Sequence, residues 1–388
     1  MKQIRVEVSI NGREVDINVN SNLKIQDNEL SVAVVINTDN NEILQTIEIK
    51  QIICGYHHTF IIDKYNRLLA VGLNSDGQLG LSDNIDRNTF TDTGISDVQQ
   101  VICGERHTFI IDKDGKLLAT GKNDFGQLGL GDTDDRNYFT YVGISNPEIV
   151  ECGSRHTFII NDDGVLLATG CNKYGQLGLE DTKDRISFTD INVSNVKQVA
   201  CGEYHTVIID EYDRLLSAGL NDRGQLGLGY NANRSVFTYT GYDNAQQVVC
   251  GAYHTFVIDK YNILYAAGWN GDGQLGLGDN NNRNVFINTS MGNIKQVVCS
   301  DRHTFIVDKN DNLLATGWNE NGQLGLGDNI DRNTFTYAGI SNVQQVVCGG
   351  LHTIVIVKNN IILGTGYNKY GQLGLGDTKN RNTFTKIN

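Results

Sequence analysis

The stretch CGERHTFIIDKDGKLLATGKNDFGQLGLGD, residues 103–132, decides the fold. Thr108–Asp112 is a β-branched and aromatic run too short for a packed helix, and Asp112-Lys113-Asp114-Gly115 carries turn chemistry. Lys116–Thr120 forms a second run of this kind, and Gly121 through Arg136 reads as a Gly-rich loop. Working outward, Val98–Cys103 precedes the stretch as an apolar run and Tyr138–Val142 follows it, before Gly143-Ile144-Ser145-Asn146 returns the chain. These are four short strands separated by turn residues, with no amphipathic helical pattern.

The unit recurs without slippage. Cysteines stand at Cys54, Cys103, Cys152, Cys201, Cys250, Cys299 and Cys348, each 49 positions from the last. Four residues after each comes a histidine: His58, His107, His156, His205, His254, His303 and His352. Gly-Gln-Leu-Gly-Leu begins at Gly77, Gly126, Gly175, Gly224, Gly273, Gly322 and Gly371, and a phenylalanine closes each unit, from Phe90 to Phe384. Residues 46–388 therefore hold seven whole units of four antiparallel strands. One such sheet cannot cover both its faces, so the units must stack on one another in a ring. The expected fold is all-β: a seven-bladed β-propeller. Strands in place of helices exclude helical repeats, and the length of the unit argues against a β-solenoid.

Residues 1–45 lie outside the repeat and are expected to form a small β extension ahead of a propeller spanning 46–388. Ile4, Val6, Val8 and Ile10 alternate with polar residues, as do Val15, Ile17 and Val19 after Asn11-Gly12, which predicts a hairpin with a type I′ turn. Glu29–Ile36 reads as a further strand, and part of residues 42–48 is expected to pair with the outer edge of the last blade.

The 388 residues include 43 Gly and one Pro, with 32 basic and 45 acidic side chains for a net charge of −13. No run of Lys or Arg exceeds two, so nucleic acid and acidic membranes are poor partners. Neither an apolar signal region nor a stretch of about 20 apolar residues is visible. The sequons at Asn192, Asn233 and Asn288 then read as chance matches.

Repetition itself argues for structural roles. The cysteines lack CxxC spacing and read as small thiols packed in the inner strand, with Cys171, outside the series, expected to be partly exposed. Eight cysteines of this kind fit a reducing compartment, hence a cytoplasmic location. One histidine per blade does not make a metal site; each is expected to bond a loop carbonyl or a neighbouring strand, while His57 reads as surface. Gly-Gln-Leu-Gly is no phosphate loop, because no Lys-Ser/Thr and no helix follow it. Its glycines permit positive φ and close approach, its Gln satisfies loop backbone, and its Leu fills the gap between blades. Arg87, Arg136, Arg185, Arg234, Arg283, Arg332 and Arg381 follow Asp by four residues, except that Tyr230 replaces it before Arg234, and read as loop-closing ion pairs. No catalytic residue, cofactor or metal emerges, and the chain is not expected to be an enzyme.

The informative residues are those that break the repeat. Two positions before each ring histidine vary, giving Tyr56, Glu105, Arg106, Arg155, Tyr204, Tyr253 and Arg302; the loop after the third strand varies likewise, giving Phe125, Tyr174, Arg223 and Tyr370. In a four-stranded antiparallel blade the first and third connections lie on one side, so these residues should share one rim. Tyr, Arg and Phe there suit an interface, and solvated loop variation is the plainer alternative.

The units CGERHTFIIDKDGKLLATGKNDFGQLGLGD and CGEYHTVIIDEYDRLLSAGLNDRGQLGLG resemble repeats of the regulator of chromosome condensation family. The Gly-x-x-His-Thr, x-x-Gly-x-Asn and Gly-Gln-Leu-Gly elements match in all seven units, with Ser300 in place of one Gly. The resemblance covers residues 46–388 and implies a seven-bladed propeller. The founding member exchanges guanine nucleotide on the small GTPase Ran and binds chromatin, using an inserted β-wedge and a basic tail. No unit here carries an insertion and residues 1–45 are acidic, so no exchange residues are carried over. With only Trp269 and Trp318, the tryptophan-based photoreception of a plant member is not expected. The unbroken register resembles divergent viral or bacterial members. Three readings stand: a scaffold binding a protein partner through one rim, a regulator of a Ran- or Rab-type GTPase, and a structural or host-interaction component of a virus or bacterium.

Overall fold

Turn residues at fixed spacing fold each unit back on itself, so that consecutive strands pair. In the second unit the strands are Val98–Cys103, His107–Asp112, Lys116–Gly121 and Arg136–Ser145. Val101 pairs with Ile110, Phe109 with Ala119 and Thr140 with Ala119, all antiparallel. The fourth strand is longer than its apolar run predicts, because Arg136 pairs with Gly121 and Ser145 with Lys116 across two register shifts. Seven such sheets follow one another from Ile49 to Ile387, each with its strands in sequence order. The computed structural model describes residues 6–10, 13–17 and 49–387.

The second strand of each blade is buried along at least its first five residues, and end to end in His58–Asp63 and His205–Asp210. It lies mid-sheet, and both faces of the sheet are covered by neighbouring blades. Each seam is one apolar cluster. Phe109, Leu117 and Leu128 of the second blade pack on Val150 and Ile159 of the third. The last blade meets the first in the same way, Ile354, Ile356 and Leu373 against Ile52, Ile61 and Leu69. All four strands of the last sheet come from Val343–Ile387.

The repeated loop stitches each seam. Gly126 has φ +77°, and a Cβ there would lie 2.4 Å from Ile186 Cα in the next blade. Only glycine lets the loop approach that strand. Leu128 is fully buried beneath it. Asn123 holds the loop shut, its amide donating to Asp132 O and its Oδ1 accepting from Leu128 N, both at 3.0 Å. Asp132 then receives Arg136 at 2.6 Å. In the fourth blade Arg234 donates instead to the phenol oxygen of Tyr230, at 2.7 and 2.9 Å.

A second stitch runs around the whole ring. His58 Nε2 lies 3.2 Å from Thr108 Oγ1 of the next blade, and the pattern repeats to His352 and Thr59 at 3.1 Å. Each threonine also donates to a Gln carbonyl of the preceding blade, as Thr108 does to Gln78 O at 2.9 Å. A hydroxyl has one proton, so it accepts from the imidazole, which fixes the Nε2–H tautomer. Burial lowers the pKa of these histidines, for His107 to about 3. At the first-blade glycine before the ring, Gly55, a Cβ would lie 2.1 Å from His58 as it is placed here. The expected structural role is thus met by a neighbouring side chain.

The chain divides into two compact units, Met1–Thr46 and Ile47–Asn388. In the first, Val6–Ile10 pairs with Arg13–Ile17, Ile10 opposite Arg13. The Asn11-Gly12 turn, the strand expected at Glu29–Ile36 and the edge pairing expected of residues 42–48 lie outside the described residues.

Candidate interaction rim and channel mouth

The first and third connections of the blades interlock on one side of the ring. In five of the seven blades the residue just before the ring histidine reaches back to the third connection of the preceding blade. Arg106 bonds Asp76 at 3.0 Å. Arg155 lies over the Phe125 ring at 5.4 Å and 3.7 Å from Glu105. Tyr204 meets Tyr174 edge-on at 5.1 Å. Arg302 clamps Asp272 with two hydrogen bonds, at 2.7 and 3.1 Å. His57 packs against Tyr370 at 5.1 Å and Tyr367 at 5.3 Å. His57 is therefore half-buried in an aromatic group rather than simply surface, and burial lowers its pKa to about 4.

Tyr253 turns instead to Trp269 of its own blade, at 6.2 Å. Arg223 is exposed and meets only its loop neighbour Asp222, at 3.5 Å, among the contacts of described residues. Tyr56 takes a different course. Its hydroxyl donates to Asp301 at 3.0 Å, from the first blade to the sixth. It crosses Gly350 of the seventh, where a Cβ would sit 2.4 Å from the Tyr56 ring. Tyr56, Glu105, Glu203 and Asp301 stand at the mouth of a central channel with a cavity of about 190 Å³. Burial and the carboxylate of Glu203 raise Asp301 to about 6, against the bond from Tyr56. Burial likewise raises Glu105.

Below the mouth six of the repeated cysteines line the channel, all but Cys299. Cys54 lies 3.7 Å from Thr59 Oγ1, and burial pushes its thiol up to about 12. Most of the series is half-buried and Cys201 fully so; all eight thiols are free. Cys171, expected to be partly exposed, is buried at 2 % accessibility. It follows the last glycine of a third strand and so faces the packed loop.

Two groups of residues escaped the sequence reading. The position after that glycine also varies, as Leu73, Lys122, Cys171, Leu220, Trp269, Trp318 and Tyr367. It brings both tryptophans to the rim, where Arg302 lies between them at 4.8 and 4.7 Å. Glu151 occupies an inner-strand position filled elsewhere by Ile53, Ile102, Ala200, Val249, Val298 and Val347. Burial raises its carboxyl to about 7, opposed by a hydrogen bond with the Cys201 backbone. Both groups were visible as departures from the repeat. Among the described residues no three His, Cys, Asp or Glu side chains converge as a metal site would require.

A family model described as the regulator of chromosome condensation (RCC1) repeat matches residues 65–111, 114–160, 163–209, 212–258, 262–307 and 310–356. No curated protein sequence matches the chain. Among solved structures, a chain of "Crystal structure of Kap60 bound to yeast RCC1 (Prp20)" is similar at 16 % identity and TM-score 0.75, covering 92 % of this chain and 91 % of that one. Human WBSCR16 is similar at 20 % identity and TM-score 0.73, over 83 % and 94 %. The structure of Prp20p from Saccharomyces cerevisiae, titled with its binding properties to Gsp1p and histones, gives 17 % identity and TM-score 0.73, over 88 % and 87 %. At these identities the likeness is one of fold.

Proposed function

Since the chain belongs to the RCC1 repeat family, we propose that it is a protein-binding module that docks its partner on the rim built by the first and third connections. One observation carries this reading: the side chains that break the repeat converge on that rim and brace one another across blades. The Trp269–Arg302–Trp318 stack is its firmest part. Two stacked rings and a bidentate carboxylate fix the guanidinium, so little side-chain entropy remains to be lost on binding. Trp and Arg are also the residues that most often dominate interface energetics.

The test is affinity capture with the wild type, Arg302→Ala, Trp318→Ala and a far-rim control, Tyr212→Ala with Tyr261→Ala. Those tyrosines are 67 % and 68 % exposed on second-to-third-strand turns. Loss of captured partner only in the rim variants is expected. Equal retention in all of them would end this reading.

A second reading, regulation of a small GTPase, draws on the Prp20p likeness, whose title records binding to Gsp1p. It predicts accelerated nucleotide release from Ran- or Rab-type GTPases at micromolar protein. No acceleration leaves the scaffold reading alone.

A further inference from the structure

We propose that the sector of this rim formed by blades six, seven and one docks an acidic peptide segment with apolar side chains, presented by a partner protein. The proposal rests on the rim being the docking face and names what it takes. Two of the most exposed large aliphatic side chains lie here, Ile330 at 65 % and Ile85 at 66 %. Both occupy the same loop position, in the two blades that flank the seventh. In the seventh blade that position is Lys379, and Lys369 stands in the same connection; both are exposed. Inward lie Leu351 and Tyr370, half-buried.

Side-chain amides hold the three loops together. Asn382 donates to Asn329 at 3.3 Å and Asn380 to Asn321 at 3.2 Å, while Asn88 donates to Gly376 O at 3.3 Å. The surface is thus continuous across two seams.

Charge decides the partner. Asp377 is the one carboxylate in the rim connections of the seventh blade, and Arg381 already holds it at 2.7 Å. Among the described residues neither Lys369 nor Lys379 has a carboxylate in salt-bridge range, although Asp377, paired with Arg381, also feels the charge of Lys379; Lys369 lies over the Tyr367 ring at 5.8 Å. Two other rim cations are matched: Lys122 meets Asp76, Asp124 and Asp135 at 3.0–3.5 Å, and Arg302 meets Asp272. Lys173 and Lys183 of blade three are likewise without an ion pair, but Glu180 and Asp184 share their loop. A partner carboxylate reaching blade seven would gain two ammonium ions and displace no existing pair, while aliphatic anchors flank it. At physiological salt the remaining negative charge of the chain is screened beyond about 8 Å.

The experiment is selection of phage-displayed random dodecapeptides on the full-length protein, followed by anisotropy with the enriched peptides. Peptides combining Asp or Glu with aromatic or aliphatic residues are expected. Lys369→Glu with Lys379→Glu should weaken them by about tenfold or more, and high salt should weaken them too. Lys173→Glu with Lys183→Glu, the same charge change on the same rim, should leave affinity within about twofold. Unchanged melting temperatures would show that both variants fold. Enrichment of basic peptides, no enrichment, or indifference to the blade-seven change each overturns the proposal. Loss of binding in Arg302→Ala or the blade-three variant alone would move the site and keep the rim reading. Indifference to every rim substitution would remove both.

Discussion

The histidine–threonine stitch shows how little freedom a repeated residue has. In most blades the Nδ1 of the ring histidine is buried without a partner, as at His58, His107 and His254. In the sixth blade Ser300 replaces glycine and its hydroxyl lies 2.6 Å from His303 Nδ1. With Nε2–H pointing to Thr353, the serine must donate. Ser300→Ala keeps the Cβ and removes the donor, so it should cost about 1–2 kcal/mol in urea denaturation. Thr108→Val removes more, orphaning both His58 Nε2–H and Gln78 O. It should cost about 2–4 kcal/mol, while Thr91→Val on the outer strand should cost under about 0.5. Equal effects of the two valines would show that the stitch contributes nothing. The rim residues were legible in the sequence for the converse reason. A position that varies while its neighbours repeat is released from the constraint that fixes them. Trp269 and Trp318 met that criterion and were missed because they sit beside an invariant glycine, one position outside the loop pair.

At the scale of the strand, apolar runs and turn residues fixed where pairing starts, because cross-strand packing of β-branched residues is local. The inner strand Val98–Cys103 agrees with its apolar run residue for residue. The outer strand Arg136–Ser145 does not, because its ends are set by bulged pairing to Gly121 and Lys116, which hydrophobicity does not record. Glu151 is the opposite case, a charge inside an apolar strand that pattern reading passes over. Positive-φ glycines separate backbone need from packing need. Gly143 has φ +82° with nothing near its absent Cβ, whereas Gly126 abuts Ile186. Gly143→Ala should cost about 1–2 kcal/mol, the left-handed penalty alone. Gly126→Ala carries that penalty and must also part the loop from the next strand. It should cost at least about 2 kcal/mol more and speed amide exchange in Arg185–Ser194. Similar losses from the two would mean that the seam yields to a methyl group.

For the molecule as a whole the ring histidines make acid the natural denaturant. Burial holds six of them at about 3 and His352 well below its ordinary value, against 6.5 in the unfolded chain. Between those limits the unfolded chain binds the more protons, so stability falls as pH falls below about 6.5 and the loss is complete near pH 3. Seven linked protonations of this sign act on a fold whose net stability is typically only about 5–15 kcal/mol. Glu151 and Asp301 act in the other direction. Raised to about 7 and about 6, they take up protons in the folded state first and offset part of that loss. Seven groups outweigh two, so cooperative unfolding is expected with a midpoint of about pH 5, followed by fluorescence of Trp269 and Trp318. Because every ring histidine bonds the next blade, one protonated seam opens its neighbours, and the transition should be single. Glu151→Leu should raise stability at pH 7, because a carboxyl held high by burial destabilises the fold while ionised and leucine carries no such cost; a loss of stability at pH 7 would show that the carboxylate is stabilising. A ring that stayed closed through pH 4, or came apart in separate steps, would show that the stitch does not couple the blades.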